Sequence, residues 1–179
     1  MTDRSIRSFL KEKTDQIHNE LDAGMSGLLA ADNFESLSYE QLLRKYQLLY
    51  RLFLEQASVS DVDYTKPMLQ AGLEHLRVDL ANSSSVELTD SMEKPHTVHT
   101  QDRALGRAYV LLGSTLGGIY LAKQLRPKTT QVHFFLGEGK NTVTNWREFL
   151  SILEKRGTDR DEILNEAIYT FRFFQKILH

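Results

Sequence analysis

The sequence predicts an all-α fold, and three observations carry that reading. Apolar residues recur at three- and four-residue spacing through most of the chain, and no stretch shows sustained period-two alternation between hairpin turns. Hydroxyl and acidic capping residues, with glycine and proline stops, punctuate the periodic stretches, and no internal repeat of solenoid length is visible. At 179 residues, 41% of them hydrophobic, the chain suits one domain spanning 1–179 with a real core.

Ser5 is placed to cap a first helix running to about Asp22, with Leu10, Thr14, Ile17, His18 and Leu21 on one face; Gly24 and Gly27 then break it. Ser38-Tyr39-Glu40-Gln41 is a capping-box pattern that opens a long second helix buried on one side, striped by Leu42, Leu43, Tyr46, Leu49, Tyr50, Phe53 and Leu54. Pro67 fits the first turn of a third helix carrying Met68, Leu69, Leu73, Leu76 and Leu80. Asn82-Ser83-Ser84-Ser85 reads as loop, and 81–100 is the least regular part of the chain. A glycine-bearing helix follows from about Gln101 to Leu125, stopped by Pro127. After Phe134-Phe135 and Gly137-Glu138-Gly139, Thr142 or Thr144 starts a helix bearing Val143, Trp146, Phe149, Leu150 and Leu153, closed by Gly157. Thr158-Asp159-Arg160-Asp161 caps the last helix, whose apolar positions are Ile163, Leu164, Ala167, Ile168, Phe171, Phe174, Ile177 and Leu178. Short connections imply antiparallel neighbours.

Composition narrows the function. Twenty-two Lys plus Arg against twenty-four Asp plus Glu leave a net charge of -2, so no global field recruits nucleic acid or anionic lipid. Without cysteine there are no disulfides, thiolate nucleophiles, thiolate-ligated hemes or covalent heme attachments, and histidine is the remaining strong ligand. The charged amphipathic N-terminus and the lack of a long apolar run fit a soluble cytoplasmic protein with no membrane partner.

Two stretches carry the chemistry. Lys11 and His18 lie two turns apart on one helix face, separated by about 10 Å at 1.5 Å per residue. That is the reach from a heme iron to its propionates, with Arg4 and Arg7 nearby as further cations. The second stretch, Tyr109-Val110-Leu111-Leu112-Gly113-Ser114-Thr115-Leu116-Gly117-Gly118, places three glycines inside a helix at about 1 kcal/mol each relative to alanine. Two uses would offset that cost: close helix packing through small residues, or approach of a flat ligand to bare backbone. The bland counterpart for His18 and Lys11 is a half-buried histidine and a solvated charge.

Together, Leu-Lys-x-x-Thr-x-x-x-His and Tyr-Val-x-x-Gly-Ser-x-Leu-Gly-Gly resemble the biliverdin-producing heme oxygenases, especially the branch found with bacterial phytochromes. The resemblance extends to Phe134-Phe135, to Trp146-Arg147-Glu148-Phe149-Leu150 and to the aromatic-rich final helix. It implies a heme oxygenase-like helical bundle with heme between a proximal helix, where His18 is the axial ligand, and a distal helix kinked around Gly113, Gly117 and Gly118. It also implies propionate contact by Lys11 and a heme-lining place for Thr14, with catalysis centred on Gly113, Ser114, Gly117 and Gly118. Heme is then both cofactor and substrate, opened to biliverdin, ferrous iron and carbon monoxide with dioxygen and electrons from a reductase or ferredoxin; a phytochrome is the implied bilin acceptor. Two residues depart from the pattern: Ser114 stands where many members have Asp, and Leu112 stands where the phytochrome-associated branch has an acid. A serine hydroxyl orders water without carrying charge.

Other readings are a nonenzymatic heme carrier or sensor, a di-iron carboxylate protein and a thiaminase-like hydrolase. The di-iron case rests on Glu93-Lys94-Pro95-His96, a Glu-x-x-His spacing in a loop, and the hydrolase lacks its cysteine. His75, His96, His99, His133 and His179 are expected on the surface or in loops. Arg103, Arg107, Lys123 and Arg126, toward the ends of the glycine-bearing helix, are expected to present a docking face to an acidic electron donor.

Overall fold

A computed structural model describes residues 5–29, 36–57, 65–83 and 93–178. The helices are α1 (Ile6–Leu29), α2 (Ser36–Glu55), α3 (Lys66–Asp79), α4 (Gln101–Leu125), the single turn α5 (His133–Leu136), α6 (Lys140–Arg156) and α7 (Arg160–Leu178). Among the described residues there is no strand, so the all-α class holds. His179, Arg4 and much of the serine-rich loop lie outside the described residues.

Most boundaries follow from the local chemistry. Ser5 Oγ accepts from the Ser8 backbone N–H at 3.2 Å, while the Glu154 carboxylate on α6 accepts from the N–H groups of Ile6 and Arg7 at 3.0 and 2.9 Å. Three orphan donors at the start of α1 are thereby satisfied. Thr100 accepts from Arg103 N–H at 3.3 Å to open α4, and Asp159 accepts from Asp161 and Glu162 to open α7. Pro67 sits in the first turn of α3, and Gly157 follows the last residue of α6.

Three expectations are corrected. The first helix does not break at Gly24 and Gly27 but continues to Leu29, because Leu21 and Met25 below are buried in the main core and outweigh the glycine propensity cost. α2 begins at Ser36 and is buried more widely than one stripe, since Leu48 and Leu52 are also enclosed. α6 starts at Lys140, ahead of Thr142 and Thr144, with Gly139 at φ 61° as its N-cap; that left-handed conformation is open to glycine and strained for other residues.

α4 and α7 form the central pair. They approach so closely that a Cβ at Gly106 would stand 2.3 Å from the Ile163 carbonyl oxygen, a contact only glycine permits. At the next residue of α4, the Nε and Nη2 of Arg107 donate to a single oxygen of Glu166 at 3.1 and 2.9 Å, and Nη2 also donates to the His96 carbonyl at 2.8 Å. Both side chains are buried, so the pair is a core brace tying α4, α7 and the loop before α4. Two further buried carboxylates fix connections. Asp79 accepts from the backbone N–H groups of His133 and Phe134 and caps α5, and Asp102 accepts from Thr158 and Asp159 at the turn into α7.

Candidate functional site

α1 packs on α7 and α6, and α4 packs on α7, yet the backbones of α1 and α4 rarely approach one another among the described residues. They meet through side chains at their N-terminal halves, where Leu10 shares a small core with Leu105, Ala108 and Leu112. One turn further, the Tyr109 hydroxyl is hydrogen-bonded to Thr14, and burial lifts its phenol above the ordinary range while that bond and the charge of Arg7 pull the other way. Thr14 is itself buried and donates to the Leu10 carbonyl at 2.9 Å.

His18 comes one turn after Thr14, at the margin of the buried stripe formed by Leu10, Thr14, Leu21 and Met25. Its side chain is 54% exposed, and its ring stands edge-on to Phe171 of α7, with centroids 5.7 Å apart. Nδ1 lies 3.1 Å from Asp22 Oδ2, one turn on, which leaves Nε2 as the nitrogen available to an incoming group. A ligating histidine typically has its second nitrogen held by a carboxylate, and Asp22 stands within ion-pair distance to do so. Asp22 was missed from the sequence, although its four-residue spacing from His18 was a usable signal. Lys11 is exposed on the same helix.

The glycines of α4 divide the two uses between them. At Gly118 a Cβ would meet the Phe135 carbonyl at 3.0 Å, so this glycine turns toward α5 and serves close packing. At Gly117 nothing lies within 4 Å of where a Cβ would be, and the backbone there is bare. Gly113 is half-covered by Trp146, whose Cη2 would be 3.5 Å from an added Cβ. Around these, Ser114 and Thr115 return their hydroxyl protons to the carbonyls of Leu111 and Leu112 at 2.7 and 2.6 Å, and α4 runs unbroken from Gln101 to Leu125. Ser114 is also hydrogen-bonded to Tyr50, a fully enclosed phenol that burial holds well above its ordinary pKa and therefore protonated.

The predicted docking cations do not form one face. Arg107 is the core brace described above and its guanidinium lies 5.3 Å from the Phe53 ring centre, so its place in an exposed docking patch is corrected. Arg103 pairs with Glu162 at 3.2 Å, while Lys123 and Arg126 are exposed at the other end of α4. The expectation for His96 is corrected in part: it sits in a loop, but its Nε2 is 2.7 Å from Glu166 and its ring lies 4.1 Å from that of Tyr169. His133 pairs with Asp79, and His75 lines a cavity between α3 and α6. Among the described residues no group of three or more His, Asp or Glu could hold a metal, and no helix is long and apolar enough to cross a membrane.

What the arrangement offers is a half-exposed imidazole at His18 with a carboxylate beside its Nδ1, uncovered backbone at Gly117 of α4 and, among the described residues, no cluster of metal-ligating side chains. The family model for heme oxygenase matches residues 4–179. The solved structure of the NO- and CO-bound heme oxygenase from Neisseria meningitidis is similar in fold, with a TM-score of 0.74, 17% identity, and coverage of 97% of this chain and 90% of that one. No curated protein matches in sequence. With nearly its whole length matched by the family model, the chain belongs to the heme oxygenase family.

Proposed function

We propose that the chain is a working heme oxygenase, a single domain of the cytoplasm that opens heme to biliverdin, ferrous iron and carbon monoxide. The observation that carries the proposal is the half-exposed imidazole of His18, with the Asp22 carboxylate 3.1 Å from its Nδ1, together with the uncovered backbone at Gly117 of α4. These residues fit a heme: the donor is an imidazole with no cysteine to compete with it, and nothing lies within 4 Å of where a Cβ would be at Gly117 of α4. Bound heme supplies the iron at which dioxygen is reduced, using electrons from a separate reductase or ferredoxin.

The protein contributes placement and protons. Asp22, whose Oδ2 stands 3.1 Å from Nδ1 of His18, would take a hydrogen bond from that nitrogen and leave Nε2 for the iron. Lys11, exposed two turns earlier, would pair with a propionate of the bound heme. Thr14 acts through Tyr109, holding that phenol as the closed end of the site. On the distal side Gly113 and Gly117 remove steric bulk, Gly118 lets α5 support α4 from behind, and Ser114 with the protonated Tyr50 can order water and pass a proton without adding charge. The phytochrome-associated placement, with a phytochrome as bilin acceptor, rests on the motif resemblance alone.

One observation favours a nonenzymatic heme carrier or sensor: the Ser114 hydroxyl proton is committed to the Leu111 carbonyl at 2.7 Å. Aerobic incubation of the hemin-loaded protein with an electron donor separates the two. The proposal expects the Soret band to give way to a bilin spectrum, with biliverdin identified chromatographically; a Soret band that persists through turnover conditions establishes the carrier instead.

A further inference from the structure

Tyr109, Gly113 and Gly117 follow one another at single-turn spacing along one line of α4, and the structure treats them differently. Tyr109 is tied to Thr14, Gly113 lies under the edge of an indole, and Gly117 is open. The boundary between covered and bare backbone is therefore the six-membered ring of Trp146, whose Cη2 and Cζ3 would stand 3.5 and 3.7 Å from a Cβ at Gly113. That ring is held from two sides: it stacks on Phe149 at 5.7 Å and 27°, and it packs against Tyr109 at 5.6 Å. Trp146 also lines a cavity of about 280 Å³ between α3, α4 and α6, whose wall includes Met68, Leu112 and Ile152 and whose lining includes the exposed carboxylates of Glu138 and Glu148.

We infer that Trp146 is a specificity-determining residue, an end-stop that sets how far the macrocycle advances along α4 and so which of its edges lies beneath the bare backbone at Gly117. The inference rests on the heme-cleaving reading above. A tryptophan suits the task because its large apolar face is rigid, with only two side-chain torsions. Removing it joins the space beside Gly113 to the cavity. The apolar wall there would accept a vinyl-bearing edge of the porphyrin, whereas Glu138 and Glu148 would repel a propionate edge. The ring would slide in one chemical sense, and the meso position under attack would change with it.

The test compares the full-length protein with Trp146→Leu and Trp146→Phe, each loaded with hemin and checked for helicity by circular dichroism. The readout independent of turnover is the heme-methyl pattern in proton NMR of the ferric cyanide complexes. We expect hemin affinity within about threefold of the parent, a graded displacement of the methyl pattern that is small in Phe and larger in Leu, and a parallel change in biliverdin isomer on turnover. The Phe variant preserves a ring against Phe149 and carries the test alone if Leu fails to fold. Parental methyl shifts in the folded variants, with or without weaker binding, overturn the inference while leaving heme binding intact. Failure of the underlying reading looks different: the parent itself would show no His18-dependent Soret band.

Discussion

Asp22 and His18 lie one turn apart on α1, and the carboxylate reaches Nδ1 of the imidazole at 3.1 Å while Phe171 abuts the ring from α7. Both members of the pair are more than half exposed, so their mutual attraction adds little to stability. The relationship has its value in orientation. Asp22→Asn should retain folding but weaken hemin binding by about tenfold, the lower end of the usual range for losing a partner behind a metal-ligating histidine. Absorbance titration checks the affinity, and resonance Raman of the ferrous protein should show a lowered iron–histidine stretch. Unchanged values for both would leave Asp22 without a role.

Two glycines on the same helix should respond to alanine in opposite ways. Gly106→Ala drives a methyl group to 2.3 Å from the Ile163 carbonyl, and the α4–α7 pair must part, costing about 2–3 kcal/mol in urea unfolding. Gly117→Ala meets nothing within 4 Å and should stabilise the free protein by up to ~1 kcal/mol through helix propensity while weakening hemin binding. A Gly117→Ala protein that binds hemin as well as the parent would remove the bare backbone from the account.

Arg107 and Glu166 are both buried, with Glu166 also accepting from His96. Glu166→Ala strands a guanidinium in the core and should cost about 3–5 kcal/mol, whereas a double replacement of Arg107 and Glu166 by apolar residues of similar volume should recover most of that loss. Equilibrium denaturation of the single and double variants measures the difference.

The contrast between Arg107 and its neighbours shows what was legible in the sequence. Apolar periodicity and end signals sufficed for the all-α class and for the span of α4, because those cues act within a few residues. Gly24 and Gly27 misled because the gain from burying Leu21 and Met25 comes from packing against other helices. Arg107 was read as a surface cation for the same reason: its partner Glu166 is distant in sequence, and only the close approach allowed by Gly106 brings them together. At the site, His18 and the glycine stretch stood out by residue type. The different duties of Gly113, Gly117 and Gly118, and the covering of Gly113 by Trp146, depend on which element packs over each one.

Alkaline pH should unfold the protein through its buried phenols. Burial raises the pKa of Tyr39, Tyr46 and Tyr50 well above the ordinary tyrosine value of 10.0. Below pH 10 all three are protonated in both states and the full stability is present. Above it the unfolded chain releases protons that the folded chain keeps, so stability falls as pH rises, by up to about 1.4 kcal/mol per pH unit for each phenol. Denaturant midpoints between pH 9 and 11.5, followed with tyrosinate absorbance, should show this decline, and Tyr46→Phe should make it shallower. A flat profile would contradict the burial of ionisable phenols.

The most direct test of the whole account is a hemin titration of the protein and of His18→Ala, side by side, with free imidazole then added to the variant. Coordination by His18 predicts a saturable histidine-ligated Soret spectrum in the parent, its loss or alteration in the variant, and its return with imidazole. Identical spectra and affinities in the two proteins would contradict a heme held by α1.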